Sequence, residues 1–139
     1  MKILVPVDGS AYSLKAVETA CELAKARAPS SMVLTAVAME IPELEEGVFI
    51  AEKMKAQAES ALAQAREAAQ AQGLTPDEIL ASGASPGETI VKIAKDQQAD
   101  LIVIGSRGLT GKTSSFLGST ASQVVTYAPC SVLVVKTAD

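Results

Sequence analysis

Apolar residues along this chain come in two rhythms that alternate from end to end. Short unbroken runs of strand length give way to longer stretches in which apolar positions recur every three or four residues. Lys2–Asp8 (KILVPVD) is the first run, and it ends in the turn-forming Asp8-Gly9-Ser10. Its continuous apolar character predicts a strand buried on both faces. Leu14, Val17, Cys21, Ala24 and Ala28 then mark one stripe of a helix, which Ser10 or Ser13 would cap and Pro29 would end. Ser31–Met39 reads as a second strand, and Pro42 marks a loop. From about Gly47 to Gln72 the chain is rich in Ala, Glu, Lys and Gln, strong helix formers. Its stripe is Ile50, Met54, Ala61, Leu62, Ala65 and Ala69, and Gly73 is placed to close it. Glu78–Ser85 is a third, weaker strand.

Ser85, Pro86 and Glu88 form a capping-box pattern opening a short helix, with Ile90, Ile93 and Ala94 facing inward. A fourth strand is wholly apolar from Leu101 to Ile104. Gly118–Ala128 reads as a helix stopped by Pro129, and Ser131–Lys136 as a fifth strand. Strands alternating with helices, apolar on both faces, predict a parallel sheet with helices on each side. The fold class is therefore α/β, three layers around an open five-stranded sheet. At 139 residues it is expected to be one domain, 1–139.

Composition narrows the function. A net charge of −4 supplies no attractive field for nucleic acid or an anionic membrane. No run approaches the roughly 18 apolar residues of a membrane span. The start, MKILVPVDGS, lacks the apolar core and cleavage site of a signal peptide, so a cytoplasmic protein with reduced thiols is expected. Cys21 and Cys130 are too far apart in sequence for a metal-ligand pair, and the chain has no histidine. The commonest general base is thus missing.

The most polar stretch that follows an apolar run is LIVIGSRGLTGKTSSFLGST, Leu101–Thr120. Gly111-Lys112-Thr113 resembles the end of a P-loop, but that motif needs a glycine at position 106, where the chain has Ser106. One residue of misregister re-aims the backbone N–H groups that wrap a phosphate. Lys112 and Thr113 read better as an exposed loop tip. A different spacing fits: Gly105, two residues, Gly108, nine residues, Gly118, Ser119. Gly105 ends a buried strand at the edge where open α/β sheets bind ligands. Gly118 and Ser119 open a helix whose free N–H groups and dipole suit phosphate oxygens. A plain glycine-rich connection with a Ser/Thr cap has the same spacing.

The chain resembles the universal stress protein family, in particular its ATP-binding branch, over nearly its whole length. That branch carries Gly-x2-Gly-x9-Gly-Ser/Thr, matched by Gly105, Gly108, Gly118 and Ser119. ILVPVDGS resembles the family's first strand and turn, SGASPGETIVKIAKDQQADLIVIGSRG its middle signature, and APCSVLVVK its last strand. LTGKTSSF, between Gly108 and Gly118, is more polar than the family's usual segment. The resemblance implies a Rossmann-like fold of the adenine nucleotide alpha hydrolase-like kind. It implies a site in which Pro6 and Val7 line an adenine pocket and Val37 lies against the base. Asp8 would accept from the ribose hydroxyls, and Ile104 and Gly105 would flank sugar and base. Ser106, Arg107, Gly108, Gly118, Ser119 and Thr120 would surround the phosphates.

The expected ligand is ATP, or AMP or ADP, with Mg²⁺ or Mn²⁺ as an accompanying ion. A homodimer through Val132–Val135 and an unidentified protein partner are also implied. With no histidine, and no carboxylate from 105 to 120, hydrolysis is expected to be slow at most. The function so implied is a nucleotide-dependent switch or sensor in stress signalling. A nucleotide-free dimeric scaffold, a slow ATPase or an adenylyl-transferring enzyme are the alternatives, and the last has little room in 139 residues.

Overall fold

Among the described residues five strands and four helices alternate: β1 (Lys2–Pro6), α1 (Ala11–Ala26), β2 (Ser31–Met39), α2 (Gly47–Ala71), β3 (Asp77–Gly83), α3 (Pro86–Asp96), β4 (Leu101–Gly105), α4 (Ser119–Tyr127) and β5 (Ser131–Val135). The structure is a computed structural model describing residues 1–41, 47–109 and 117–137. Pro42 and the Gly111-Lys112-Thr113 tripeptide lie outside the described residues. The strands form one parallel sheet in the order β3-β2-β1-β4-β5. The chain therefore builds outward from β1 through β2 to β3, then returns to lay β4 and β5 on the other side. The reversal falls between β1 and β4. Loops leaving those two strands diverge there and open a crevice at the carboxyl ends of the strands.

The side-chain alternation of β1 divides the core. Ile3, Val5 and Val7 point toward α1 and α2, where Ala16, Val17, Ala20, Cys21, Leu62 and Ala65 meet them. Leu4 points the other way, with Val33, Ile102 and Ile104, against Ile90, Ala94 and Val124 of α3 and α4. Ile3, Val5, Leu34, Ile102 and Val103 are fully buried. Each such side chain contributes about 1.5–3 kcal/mol relative to exposure, so the β1–β4 pair is the most firmly held part of the frame.

Helix ends follow local chemistry. Ser10 is the cap of α1: its Oγ accepts the Ser13 N–H at 3.1 Å. Ala28 does not extend the α1 stripe. The helix ends at Ala26, and Ala28 is exposed beyond it. Pro29 disfavours helical geometry in the residue before it, which moves the stop ahead of Ala28. Past α2, the Leu74 N–H reaches Ala69 O and the Gly73 N–H reaches Gln70 O, with Gly73 at φ +83. That paired closure is the Schellman arrangement expected of a glycine at this place. Ser85 caps α3 through the Glu88 N–H, at 3.4 Å, so it opens the helix rather than ending β3. β3 alternates between exposed and half-buried residues, unlike the doubly buried strands β1, β2 and β4, because it lies at the sheet edge.

Candidate functional site

A cleft of about 510 Å³ opens at the β1/β4 switch point. Pro6, Val7 and Asp8 enter it from the end of β1, and Val37 from the end of β2. Ile104, Gly105, Arg107 and Gly108 enter from β4 and its exit, and Gly118, Ser119 and Thr120 from the start of α4. Eleven of the twelve candidate residues thus share one cavity wall. Ser106 stands behind it: it is buried at 6% exposure, its N–H donates to Val135 O (2.9 Å), and its carbonyl accepts the Gly118 N–H (2.8 Å). Ser106 therefore ties β5 and α4 to the end of β4, and its backbone sets the positions of its neighbours in the cleft.

Asp8 is built into a turn. Its Oδ1 accepts the Ser10 N–H at 2.9 Å, closing the step from β1 into α1. Its Oδ2 accepts the Leu109 N–H at 3.1 Å. The Asp8 N–H in turn donates to Ser13 Oγ at 3.3 Å. Carboxylates accept such bonds from backbone N–H groups readily and keep capacity for further donors. The turn reading and the ligand reading of Asp8 are therefore compatible, because it remains exposed at the cleft.

The glycines of the β4 exit are bare for different reasons. A Cβ on Gly105 would lie 2.8 Å from the carbonyl carbon and oxygen of Tyr12, so that position is needed for α1 to approach β4. Gly118 has φ −60 and ψ 158, a conformation open to any residue. It does not need an angle closed to other residues. Its constraint is space: a Cβ there would lie 3.3 Å from Arg107 Cα and 3.4 Å from Ser106 O. Gly118 caps α4 with no side-chain hydrogen bond. The first-turn N–H groups of α4 therefore lack a side-chain partner from the cap and point their dipole toward the cleft. Arg107 is the one cation, and Asp8 the one carboxylate, among the described lining residues. No group of three His, Cys, Asp or Glu side chains among the described residues stands close enough to hold a metal ion.

Several lining residues were not singled out from sequence. Thr35, Ala36 and Met39 extend the β2 wall, Gln57 and Ala58 contribute from α2, and Pro86 and Ile90 from α3. Met54, from the apolar stripe of α2, also lines the cleft. Thr35 is fully buried, and its hydroxyl donates to Ile79 O at 2.9 Å, so it serves the sheet as well as the wall. A hydroxyl inside an apolar strand was the available signal. Pro86 could not have been placed without the sheet order, which brings the start of α3 over the β2 end.

The topology and the position of this cleft define a doubly wound α/β protein with a ligand crevice at its switch point. A sequence model described as the universal stress protein family matches residues 1–136. The chain belongs to that family. A universal stress protein of Thermus aquaticus is 36% identical over 135 residues, covering 96% of this chain and 97% of the relative. One from Methanocaldococcus jannaschii is 34% identical over 139 residues, covering 97% and 81%. Among solved structures, the universal stress protein UspA from Lactobacillus plantarum superposes with a TM-score of 0.83 at 28% identity, covering 97% of each chain. A universal stress protein solved in complex with cAMP superposes with a TM-score of 0.75 at 29% identity, covering 97% of this chain and 96% of that one. The parallel five-stranded, Rossmann-like architecture is thus shared. No helix among the described residues is long and apolar enough to cross a membrane.

Proposed function

We propose that this chain binds an adenine nucleotide in the β1/β4 crevice, with ATP as its principal ligand, and acts as a nucleotide-dependent switch or sensor in stress signalling. The observation that carries this reading is the order of chemistry across the sheet. Strand order places apolar Val37 on β2, then Pro6 at the end of β1 with Asp8 just beyond it, then Arg107 and Gly108 beyond β4, then the α4 N-terminus. Base, ribose and phosphates follow one another in that same sequence. An apolar wall suits adenine, a carboxylate suits two vicinal hydroxyls, and a guanidinium with a helix N-terminus suits phosphate. The cAMP complex of a 29% identical relative supports an adenine ligand in this fold. Mg²⁺ or Mn²⁺ would be carried by the phosphates themselves, since such ions keep much of their water.

Little or no hydrolysis belongs to this reading. Asp8 is the one carboxylate among the described lining residues, and this reading places it at the ribose, away from the terminal phosphate where a hydrolase must orient its water. Calorimetric titration with ATP, ADP, AMP, cAMP and GTP, with and without Mg²⁺, tests the proposal. ATP should bind and GTP should bind at least tenfold more weakly. Binding of none of them, or equal binding of GTP, refutes it. A turnover assay should give a rate far below the ~1–100 s⁻¹ of kinases.

We infer further that two copies pair through β5, in a cytoplasmic homodimer. β5 is an edge of the sheet and pairs with β4 alone among the described strands. Leu133 at its centre is 37% exposed. Such edges invite a second strand. Analytical ultracentrifugation should find a dimer that Leu133→Lys converts to monomer. A wild-type monomer at all working concentrations refutes the pairing.

A further inference from the structure

Asp8 has a partner that a ribose role does not explain. Its Oδ2 accepts the Leu109 N–H at 3.1 Å, joining the end of β1 to the loop that leaves β4. Gly108 lies directly against the same oxygen: a Cβ built there would come within 2.6 Å of Oδ2. Real side chains essentially never approach that closely, so residue 108 is bare where the carboxylate rests on the backbone. Oδ1 accepts a separate bond, from the Ser10 N–H at 2.9 Å. Arg107, immediately before this contact, lines the cleft together with Gly118 and Ser119.

We propose that Asp8 is a positioning residue for the anion-binding loop, in addition to any contact with ribose. The carboxylate of the first strand holds the 107–109 backbone, so that Arg107 and the start of α4 face the same ligand. Each carboxylate oxygen has two lone pairs, so Oδ2 accepts the Leu109 N–H and still has room for a hydroxyl donor. The ligand half of this inference rests on the nucleotide reading above. The contact half does not, since it exists in the protein alone.

The two roles of Asp8 separate with a ligand that lacks ribose hydroxyls. If Asp8 serves only ribose, Asp8→Ala leaves the affinity for 2′,3′-dideoxy-ATP unchanged, or raises it by removing a charge that repels phosphate. If it positions the loop, that affinity falls by about fivefold or more, the effect of one ordinary hydrogen bond. Gly108→Ala, which leaves the carboxylate in place but pushes it off the backbone, should produce the same loss for both ATP and the dideoxy analogue. Asp8→Asn keeps an oxygen that accepts a backbone N–H and should restore part of the dideoxy-ATP affinity. In the protein without nucleotide, amide hydrogen exchange at Leu109 should accelerate in both Asp8→Ala and Gly108→Ala, while amides of β1 keep their protection.

Dideoxy-ATP binding to Asp8→Ala within twofold of wild type overturns the positioning role. Unchanged Leu109 exchange overturns the contact itself. If no adenine nucleotide binds the wild-type protein, the functional reading fails and with it the ligand half, while the exchange experiment still decides whether Asp8 holds the loop.

Discussion

Adding one methyl group to Gly105 should cost this protein stability, and adding one to Gly108 should cost it far less. The new Cβ at 105 would sit 2.8 Å from the carbonyl carbon and oxygen of Tyr12 and 2.9 Å from its Cβ. Carbon contacts settle near 3.5–4.0 Å, so roughly 1 Å of separation has to be found. Neither partner gives way easily. Gly105 is in register with Val135 across the β4–β5 ladder. Tyr12 is in the first turn of α1, which Ser10 holds through the Ser13 N–H and the Leu14 N–H, both at 3.1 Å. Overpacking of this kind costs about 1–3 kcal/mol. Replacing glycine by alanine also removes unfolded-state freedom, which returns about 0.4–1 kcal/mol. The net loss expected is about 1–2 kcal/mol. In a chain of this size each kcal/mol lowers Tm by roughly 3–5 °C, so Gly105→Ala should melt some 3–10 °C below wild type. At Gly108 the obstacle is a carboxylate at the end of a side chain, which can swing aside, so the change in stability should stay under about 1 kcal/mol. Urea titrations of the two variants beside wild type supply the comparison. Equal midpoints for Gly105→Ala and wild type would show that α1 is not braced against β4 as described.

Gly118→Val should weaken ATP binding more than adenosine binding, because the bulk arises beside Arg107 and Ser106 and away from Pro6 and Val37; paired titrations check it, and an unchanged ATP affinity in a folded variant places the phosphates elsewhere. Lys112→Ala should alter ATP affinity by less than about 1 kcal/mol, as the failed P-loop register in the sequence implies; a hundredfold loss would reinstate that register. Burial raises the Cys21 thiol above its ordinary value of 9.0, with Lys25 opposing the shift and Glu18 and Glu22 adding to it. A raised folded-state pKa makes the neutral thiol's contribution complete below pH 9 and lost as pH climbs through the folded value. Urea stability should therefore fall with rising pH above 9 more steeply in wild type than in Cys21→Ala, and equal slopes would count against the buried thiol as the cause.

Element identity was legible because the two hydrophobic periods do not overlap. Ile3, Leu4 and Val5 in an unbroken run cannot make an amphipathic helix, and Ala61, Leu62, Ala65 and Ala69 cannot make a strand. Caps were legible where a single residue does the work, as at Ser85. Choosing between Ser10 and Ser13 needed coordinates, because both hydroxyls take part: Ser13 Oγ donates back to Ser10 O at 3.1 Å. Spacing alone also could not say that Ser106 turns inward. The direction of a loop side chain depends on which backbone groups its neighbours engage, here Val135 O and the Gly118 N–H. The lining contributed by Thr35 and Pro86 was hidden for a related reason. Both reach the cleft through strand order, a property of non-local pairing that no local pattern encodes.

The hydrogen bond from the Gly118 N–H to Ser106 O, 2.8 Å long, works as a clasp on the chain between them. It fixes the point where the chain leaves β4 relative to the point where it enters α4. Doubling the length of a clasped segment raises the entropic cost of closing it by only about 0.6 kcal/mol. The clasp therefore marks a natural docking port for engineering. A peptide tag or a pair of fluorophores introduced between Leu109 and Leu117 in the sequence would be expected to act on the strands only through this clasp. Leu109 and Leu117, the described residues on either side, both line the crevice, so probes attached there would sense a bound anion and turn the protein into a reporter for whatever occupies it.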